Sequence, residues 1–137
     1  VYRGQCAEYC GGPHALMAFF VIAESPESFD AWRAGQREPA AVPRSAAARR
    51  GANVFASHCA ACHTVSGTPA AGLLGPDLTH VGGRHSLAAG ILANNAGTLA
   101  AWIAESQRIK PGNLMPSFVE FSGEDLRALA AYLESLK

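Results

Sequence analysis

Cys59-Ala60-Ala61-Cys62-His63 places two thiols three residues apart and an imidazole directly after the second. Covalent attachment of a porphyrin needs that spacing. The thiols reach two vinyl groups on one edge of the ring, while the adjacent imidazole swings beneath it to ligate iron, as in the attachment site of a c-type haem. Three blander readings stand beside it: chance, a thiol-redox pair, and a structural zinc site to which Cys6 and Cys10 would add two sulfurs.

The sequence on either side of this stretch has a helical pattern broken by loops. Ser45 is an N-cap for a helix over residues 46–56, with Gly51 and Phe55 four apart on one face and leading into Cys59. Residues 66–83 are rich in Gly, Pro and Thr and read as loop. Two short helices are expected over residues 86–92 and 98–106, the first stopped near Asn94-Asn95-Ala96-Gly97. Residues 110–116 form an irregular loop pinned by Pro111 and Pro116. Ser122 with Asp125 makes a capping box for a last helix over 123–136, whose buried face is Leu126, Leu129, Ala130 and Leu133, with Tyr132 at its edge.

A haem used only for electron transfer keeps its iron six-coordinate, so that substrate and oxygen are excluded. His63 supplies one axial ligand. Met115 is the only methionine after the motif and sits in the rigid loop, so it is the candidate for the other; a thioether there favours ferrous iron and raises the potential. The ordinary alternative for Met115 is filling a gap in the core. His80 and His85 are competitors for the ligand role, but they and His58 read as solvated surface histidines.

With these residues in place, 45–137 resembles a class I cytochrome c. The resemblance rests on Gly51 and Phe55, on Cys59, Cys62 and His63, on Gly75-Pro76-Asp77-Leu78, on Met115 in its Pro-Gly-Asn-Leu-Met-Pro loop, and on Leu129 with Tyr132. It implies a mainly α fold wrapped around one covalent haem, with the first and last helices crossing where Gly51 allows close approach. It also implies that Phe55 packs near Leu129 and Tyr132, and that the Pro76 carbonyl accepts a hydrogen bond from the His63 imidazole. Arg84 and Trp102 resemble positions that contact the haem propionates; the plain alternatives are a surface arginine and a core tryptophan.

A second pattern lies at the start: Cys6-x-Glu8-x-Cys10-x-x-x-His14-x-x-Met17. Thiols, imidazole and thioether at these intervals form a soft-ligand cluster suited to copper rather than to magnesium or calcium, with a disulfide or a catalytic cysteine as competing readings. With Gly4-Gln5 before it, the string resembles the loop that binds the dinuclear copper centre, CuA, in subunit II of cytochrome c oxidase. The resemblance implies that Cys6 and Cys10 bridge two coppers and that His14 and Met17 are terminal ligands. It further implies that Glu8 ligates through its carbonyl, with its side chain near a magnesium site shared with subunit I. That family also needs a histidine from an upstream loop and most of a cupredoxin β-barrel, so the copper site is expected to be incomplete in residues 1–137.

Residues 15–23 read as a buried strand whose pairing partners lie upstream, and residues 28–32 as a short helical turn anchored by Phe29 and Trp32. The expected organisation is a C-terminal remnant of a cupredoxin domain over 1–33, a Pro- and Gly-containing linker over 34–44, and a cytochrome c domain over 45–137.

The 137 residues carry a formal net charge of zero with both signs interspersed, which argues against nucleic-acid binding. The apolar run 15–23 is too short to span a bilayer, and the start has no signal-peptide pattern. Haem attachment of this kind takes place outside the cytoplasmic membrane. An export signal or membrane anchor is therefore expected upstream of Val1, with the chain on the outer, periplasmic face of a bacterial membrane. The order of the two motifs implies a relay. The haem accepts electrons from a respiratory donor, a cytochrome c or a bc1-type complex, and passes them to CuA and on to oxidase subunit I, where oxygen is reduced. A short linker keeps donor and acceptor at high effective concentration. On this reading the chain is part of an enzyme but itself only transfers electrons. Relay service in a nitric oxide or nitrous oxide reductase, or a free-standing cytochrome c carrier, are the alternatives.

Overall fold

A computed structural model describes residues 1–137. In chain order the elements are strands β1 (Tyr2–Gln5) and β2 (Ala18–Val21), helices α1 (Pro26–Gly35) and α2 (Ala46–His58), strands β3 (Ser86–Leu87) and β4 (Leu92–Ala93), and helices α3 (Ala96–Ile109) and α4 (Gly123–Ser135). Single 3-10 turns occur at His14–Leu16 and Val81–Gly83.

Each helix starts where a short polar side chain can take up a free backbone N–H. Ser25 accepts from Ser28, Ser45 from Ala48, Asn95 from Thr98 and Ser122 from Asp125. Such a cap stabilises a helix by about 1 kcal/mol. It therefore fixes where the helix begins more than it holds the fold together.

Packing does the latter. Helices α2 and α4 cross at Gly51, where a Cβ would overlap the carbonyl oxygen of Ala128 and come within 2.7 Å of Tyr132 Cβ. Only a glycine permits that approach. The buried core is built around the crossing from Phe55, Val65, Leu99, Ile103, Leu129, Tyr132, Leu133 and Leu136. The Phe55 and Tyr132 rings meet edge to face with centroids 5.5 Å apart, as expected from the sequence. The far end of α4 is tied down by the Gly82 N–H, which donates to the Leu136 carbonyl at 2.7 Å. At its near end Arg50 bridges Glu124 and Asp125, an exposed arrangement that adds little stability. The 45–137 region is thus mainly helical with its first and last helices crossing, as the resemblance to a class I cytochrome c implies.

Three local expectations change. Residues 86–92 are not a helix but a two-residue-strand hairpin, with Ser86 opposite Ala93 and Leu87 opposite Leu92. Its turn holds Ala88, Ala89 and Gly90 at positive φ, which no right-handed helix accommodates, while Leu87 is buried in the core and Leu92 packs against it. Tertiary burial of the two leucines outweighs the helix propensity of the alanines. The strand expected over 15–23 shrinks to β2 and finds its partner inside the chain: β1 pairs antiparallel with it, Gln5 opposite Ala18. Phe19, Phe20 and Val21 are exposed rather than buried, and Ala18 alone is covered. The turn expected at 28–32 is a helix of ten residues that runs on to Gly35, because Pro26 opens it at the first helical position and Ser25 caps it. None of its residues is buried, and Phe29 and Trp32 pair with each other at 5.7 Å on its surface.

Gly51→Val is expected to lower unfolding stability by about 3 kcal/mol or more, because the new side chain meets backbone that cannot swing aside. Denaturant unfolding measures this, and wild-type stability would contradict a backbone-limited crossing.

Candidate functional site

Helix α2 ends at the thiol motif. The Cys59 N–H donates to the Phe55 carbonyl at 2.8 Å as the helix C-cap. The chain then tightens, with the N–H groups of Cys62 and His63 both donating to the Cys59 carbonyl at 3.0 Å. This turn brings the two thiols and the imidazole onto one short stretch of backbone.

The following loop closes over it. Gly72 N–H donates to the His63 carbonyl at 3.2 Å and Gly75 N–H to the Cys62 carbonyl at 2.7 Å. Both positions need glycine: a Cβ at Gly72 would lie 2.6 Å from the Ala61 carbonyl oxygen, and one at Gly75 would lie 2.5 Å from His63 Cε1. His63 Nδ1 is 2.7 Å from the Pro76 carbonyl, which can only accept, so the proton sits on Nδ1. The lone pair of the neutral ring is then on Nε2, the atom left free to bind a metal. Phe55 packs beside the ring with centroids 6.5 Å apart.

None of the four cysteines is bridged. Burial pushes the Cys59 thiol up to about 11, helped by the nearby Cys62. The donor set fits an attached haem: two unbridged thiols beside an imidazole whose tautomer and direction are already set, in a cradle that glycines keep open.

Met115 is half-buried and packs against the core, and its backbone is held at three points. Its N–H donates to Asn113 Oδ1 at 2.8 Å, and its carbonyl accepts from Ser106 Oγ at 2.8 Å and from Gln107 Nε2 at 2.6 Å. Asn113 in turn donates to the Ser106 carbonyl at 2.9 Å and the Lys110 carbonyl at 2.7 Å. The two prolines are therefore not the only restraint on this loop. Ser106 shares the α3 face of Leu99 and Ile103 and is fully buried there; its helical spacing from those residues was the available signal, since a polar side chain on a buried face must have a partner.

Asp77, Thr79, His80 and Arg84 form the polar side of the 77–84 stretch, whose Val81 faces the core. Asp77 accepts from the Thr79 N–H at 2.7 Å and from its hydroxyl at 2.5 Å, and Thr79 Oγ1 accepts from the Ser66 N–H at 2.9 Å. Arg84 is exposed and donates to the Asp77 carbonyl at 2.8 Å, while Trp102 lies half-buried on α3. His85 is exposed, and His58 stacks edge-on against Phe121 at 5.0 Å. His80 departs from the surface role expected of it. Its Nε2 donates to the Glu38 carbonyl at 3.1 Å, and its Nδ1 is buried with no partner, so it serves to fasten the 36–40 segment to the domain.

The N-terminal motif converges as well. Cys6 Sγ and Cys10 Sγ are 3.6 Å apart, His14 Nδ1 is 3.5 Å from Cys10 Sγ, and the three ligand atoms lie within 4.8 Å of one another. The Glu8 carbonyl oxygen is 3.0 Å from Cys6 Sγ. Met17 is partly exposed at the foot of the loop, where its carbonyl accepts from Cys6 N–H at 3.0 Å and from Gln5 Nε2 at 2.8 Å. Sequence reasoning noted Gln5 only as part of a pattern; its amide is a staple across the base of the loop. The Cys10 thiol is raised above its ordinary value, first by its hydrogen bond with Cys6 and then by burial and the Cys6 charge.

The cytochrome c family profile matches residues 48–137. Over its whole length the chain is 44 % identical to cytochrome c oxidase subunit 2 of Alkalihalophilus pseudofirmus, 37 % to that of Bacillus sp. strain PS3 and 32 % to that of Bacillus subtilis. It spans 40 % of the length of each of these relatives.

The Thr79 hydrogen bonds hold the Asp77 carboxyl below its ordinary value of 3.8. Asp77 therefore stabilises the fold fully above that pH, and the contribution is lost as pH falls through the depressed folded value. Asp77→Asn is expected to cost about 1 kcal/mol at neutral pH, after allowance for solvent screening, and to show a shallower loss of stability below pH 3.8 than wild type. Unfolding curves across the acid range check this; parallel wild-type and mutant profiles would contradict it.

Proposed function

This chain belongs to the cytochrome c family, and we propose that it is the haem-bearing end of an electron relay, taking single electrons from a respiratory donor and handing them to a CuA centre in a haem-copper oxygen reductase. The observation that carries the reading is the His63 Nδ1–H bond to the Pro76 carbonyl inside a Cys-x-x-Cys-His turn, since it prepares an imidazole for iron next to two free thiols.

In this reading Cys59 and Cys62 would tether the porphyrin through their sulfurs, and His63, its ring held in one orientation by Pro76, would ligate the iron. Met115 would offer its thioether to the iron as the second ligand. Its carbonyl accepts from Ser106 and Gln107 and its N–H donates to Asn113, and these bonds would keep the loop from yielding when a bound iron changes charge. Once attached, the haem supplies a ferric–ferrous couple that moves an electron without bond chemistry on a substrate. Arg84 and Trp102 are assigned to the propionates: the Arg84 guanidinium offsets their charge from the 77–84 stretch, where its bond to the Asp77 carbonyl holds it.

The acceptor is assigned to the N-terminal loop. Cys6, Cys10, His14 and Met17, with the Glu8 carbonyl, would hold the copper, and the Glu8 side chain would serve a magnesium ion shared with subunit I. The clustering of two thiols and an imidazole within 4.8 Å supports a soft metal there. A further histidine ligand and the rest of the cupredoxin barrel are assigned to sequence outside residues 1–137, in keeping with relatives of more than twice this length. The working location is the periplasmic face of the cytoplasmic membrane. No helix of the chain is long and apolar enough to cross a bilayer.

Met115→Ala in the haem-loaded chain is expected to abolish the weak sulfur-to-iron charge-transfer band and to lower the reduction potential. Spectroscopy of the oxidised protein with redox titration makes the test, and a band that survives the substitution would exclude Met115 as the ligand.

A further inference from the structure

The turn of the β3–β4 hairpin carries three consecutive residues in the left-handed region, Ala88 at φ 53°, Ala89 at φ 61° and Gly90 at φ 78°. Alanine enters that region only at a cost, so the turn must be held from outside. What holds it is Ala18. The Ala18 N–H donates to the Ala89 carbonyl at 2.8 Å, and a Cβ on Gly90 would lie 2.9 Å from Ala18 Cβ and 3.1 Å from its carbonyl carbon. Ala18 is 6 % exposed, the first buried residue in the chain, and the next is Ala48. The hairpin turn thus covers the outer edge of β2 at one point, and it does so with backbone.

That point adjoins the soft-ligand cluster. Met17 and Ala18 share one peptide group, whose carbonyl accepts the Cys6 N–H and the Gln5 amide and whose N–H is the one given to Ala89. On the other side, Leu87 leads from the turn into the same core that contains Phe55, with Met115 packed against it.

We propose that the 88–90 turn is the docking element that seats the cytochrome domain on the copper loop at Ala18 and so fixes the separation across which the electron passes. The inference rests on the relay assigned above and adds the positioning surface that makes the relay fast. The transfer itself removes one electron from the iron, which goes from ferrous to ferric, and adds one electron to the copper pair; no bond forms or breaks and no proton moves. Tunnelling falls off exponentially with distance, so loosening this contact slows transfer while leaving each centre intact. Gly90 is a positioning residue, needed both for its positive φ and for the close approach to Ala18.

The test uses the full-length subunit in its assembled oxidase, with Gly90→Val and Ala18→Leu attacking the contact from its two sides. Hydrogen exchange at the Ala18 amide should be slow in wild type and faster by roughly tenfold or more in both variants, and haem-to-copper transfer after rapid haem reduction should slow by a similar factor. The haem spectrum, its potential and its rate of reduction by a small dye should stay at wild-type values. An unchanged transfer rate in either variant that keeps its haem spectrum overturns the proposal. Loss of that spectrum in both variants also overturns it, since the turn would then be a folding element. An Ala18 amide that exchanges freely in wild type removes the docking contact whatever the electron does. A wild-type protein with a protected Ala18 amide but no transfer from haem to copper overturns instead the relay on which the inference rests.

Discussion

The close crossing of α2 and α4 at Gly51 is the constraint on which the site depends. Gly51, Phe55 and Cys59 follow one another at intervals of four along α2, so they lie on one helical face. Fixing the first against the Ala128 backbone, and the second against Tyr132, sets the direction in which the third emerges. The thiol motif begins at the C-cap of that helix, with no flexible residue between. A few tenths of an ångström at the crossing are therefore transmitted to the thiols. The bond from Gly82 to the Leu136 carbonyl, beyond the other end of α4, keeps that helix from sliding.

Beyond the motif the same logic is carried by hydrogen bonds instead of packing. His63 has both its carbonyl and its ring nitrogen engaged by the 72–76 loop, and the backbone of Met115 is engaged by Ser106, Gln107 and Asn113. An electron carrier benefits from ligands that do not move when the metal charge changes. Both candidate ligands have their backbones anchored to neighbouring polar groups, while their ligating atoms are not needed for that anchoring. The polar bonds are placed where a closely packed apolar interior could not specify a direction, and the packing is placed where direction follows from helix geometry.

Much of this was legible because the residues concerned act locally. Ser45, Ser122 and the Cys59–His63 spacing announce themselves within a few positions, and the α2 and α4 faces follow from helical periodicity. The hairpin at 86–93 was not legible, because its local signal is a run of small residues with helix propensity and its actual determinant is the burial of Leu87 and Leu92 against elements far away in sequence. β1 was missed for a related reason. Four residues with no apolar alternation carry no strand signal of their own, and they become a strand only by pairing with β2. His80 carries no local sign of its role, because its partner, the Glu38 carbonyl, lies 42 residues away in sequence.

The central claim is that the Cys59–His63 turn holds a covalently attached haem that cycles by one electron. An absorption spectrum of the purified, dithionite-reduced protein tests it most directly, taken before and after denaturation that strips non-covalent haem. The account predicts a sharp c-type α-band that stays with the polypeptide through denaturation. A colourless protein, or a chromophore that separates from the chain, would contradict it.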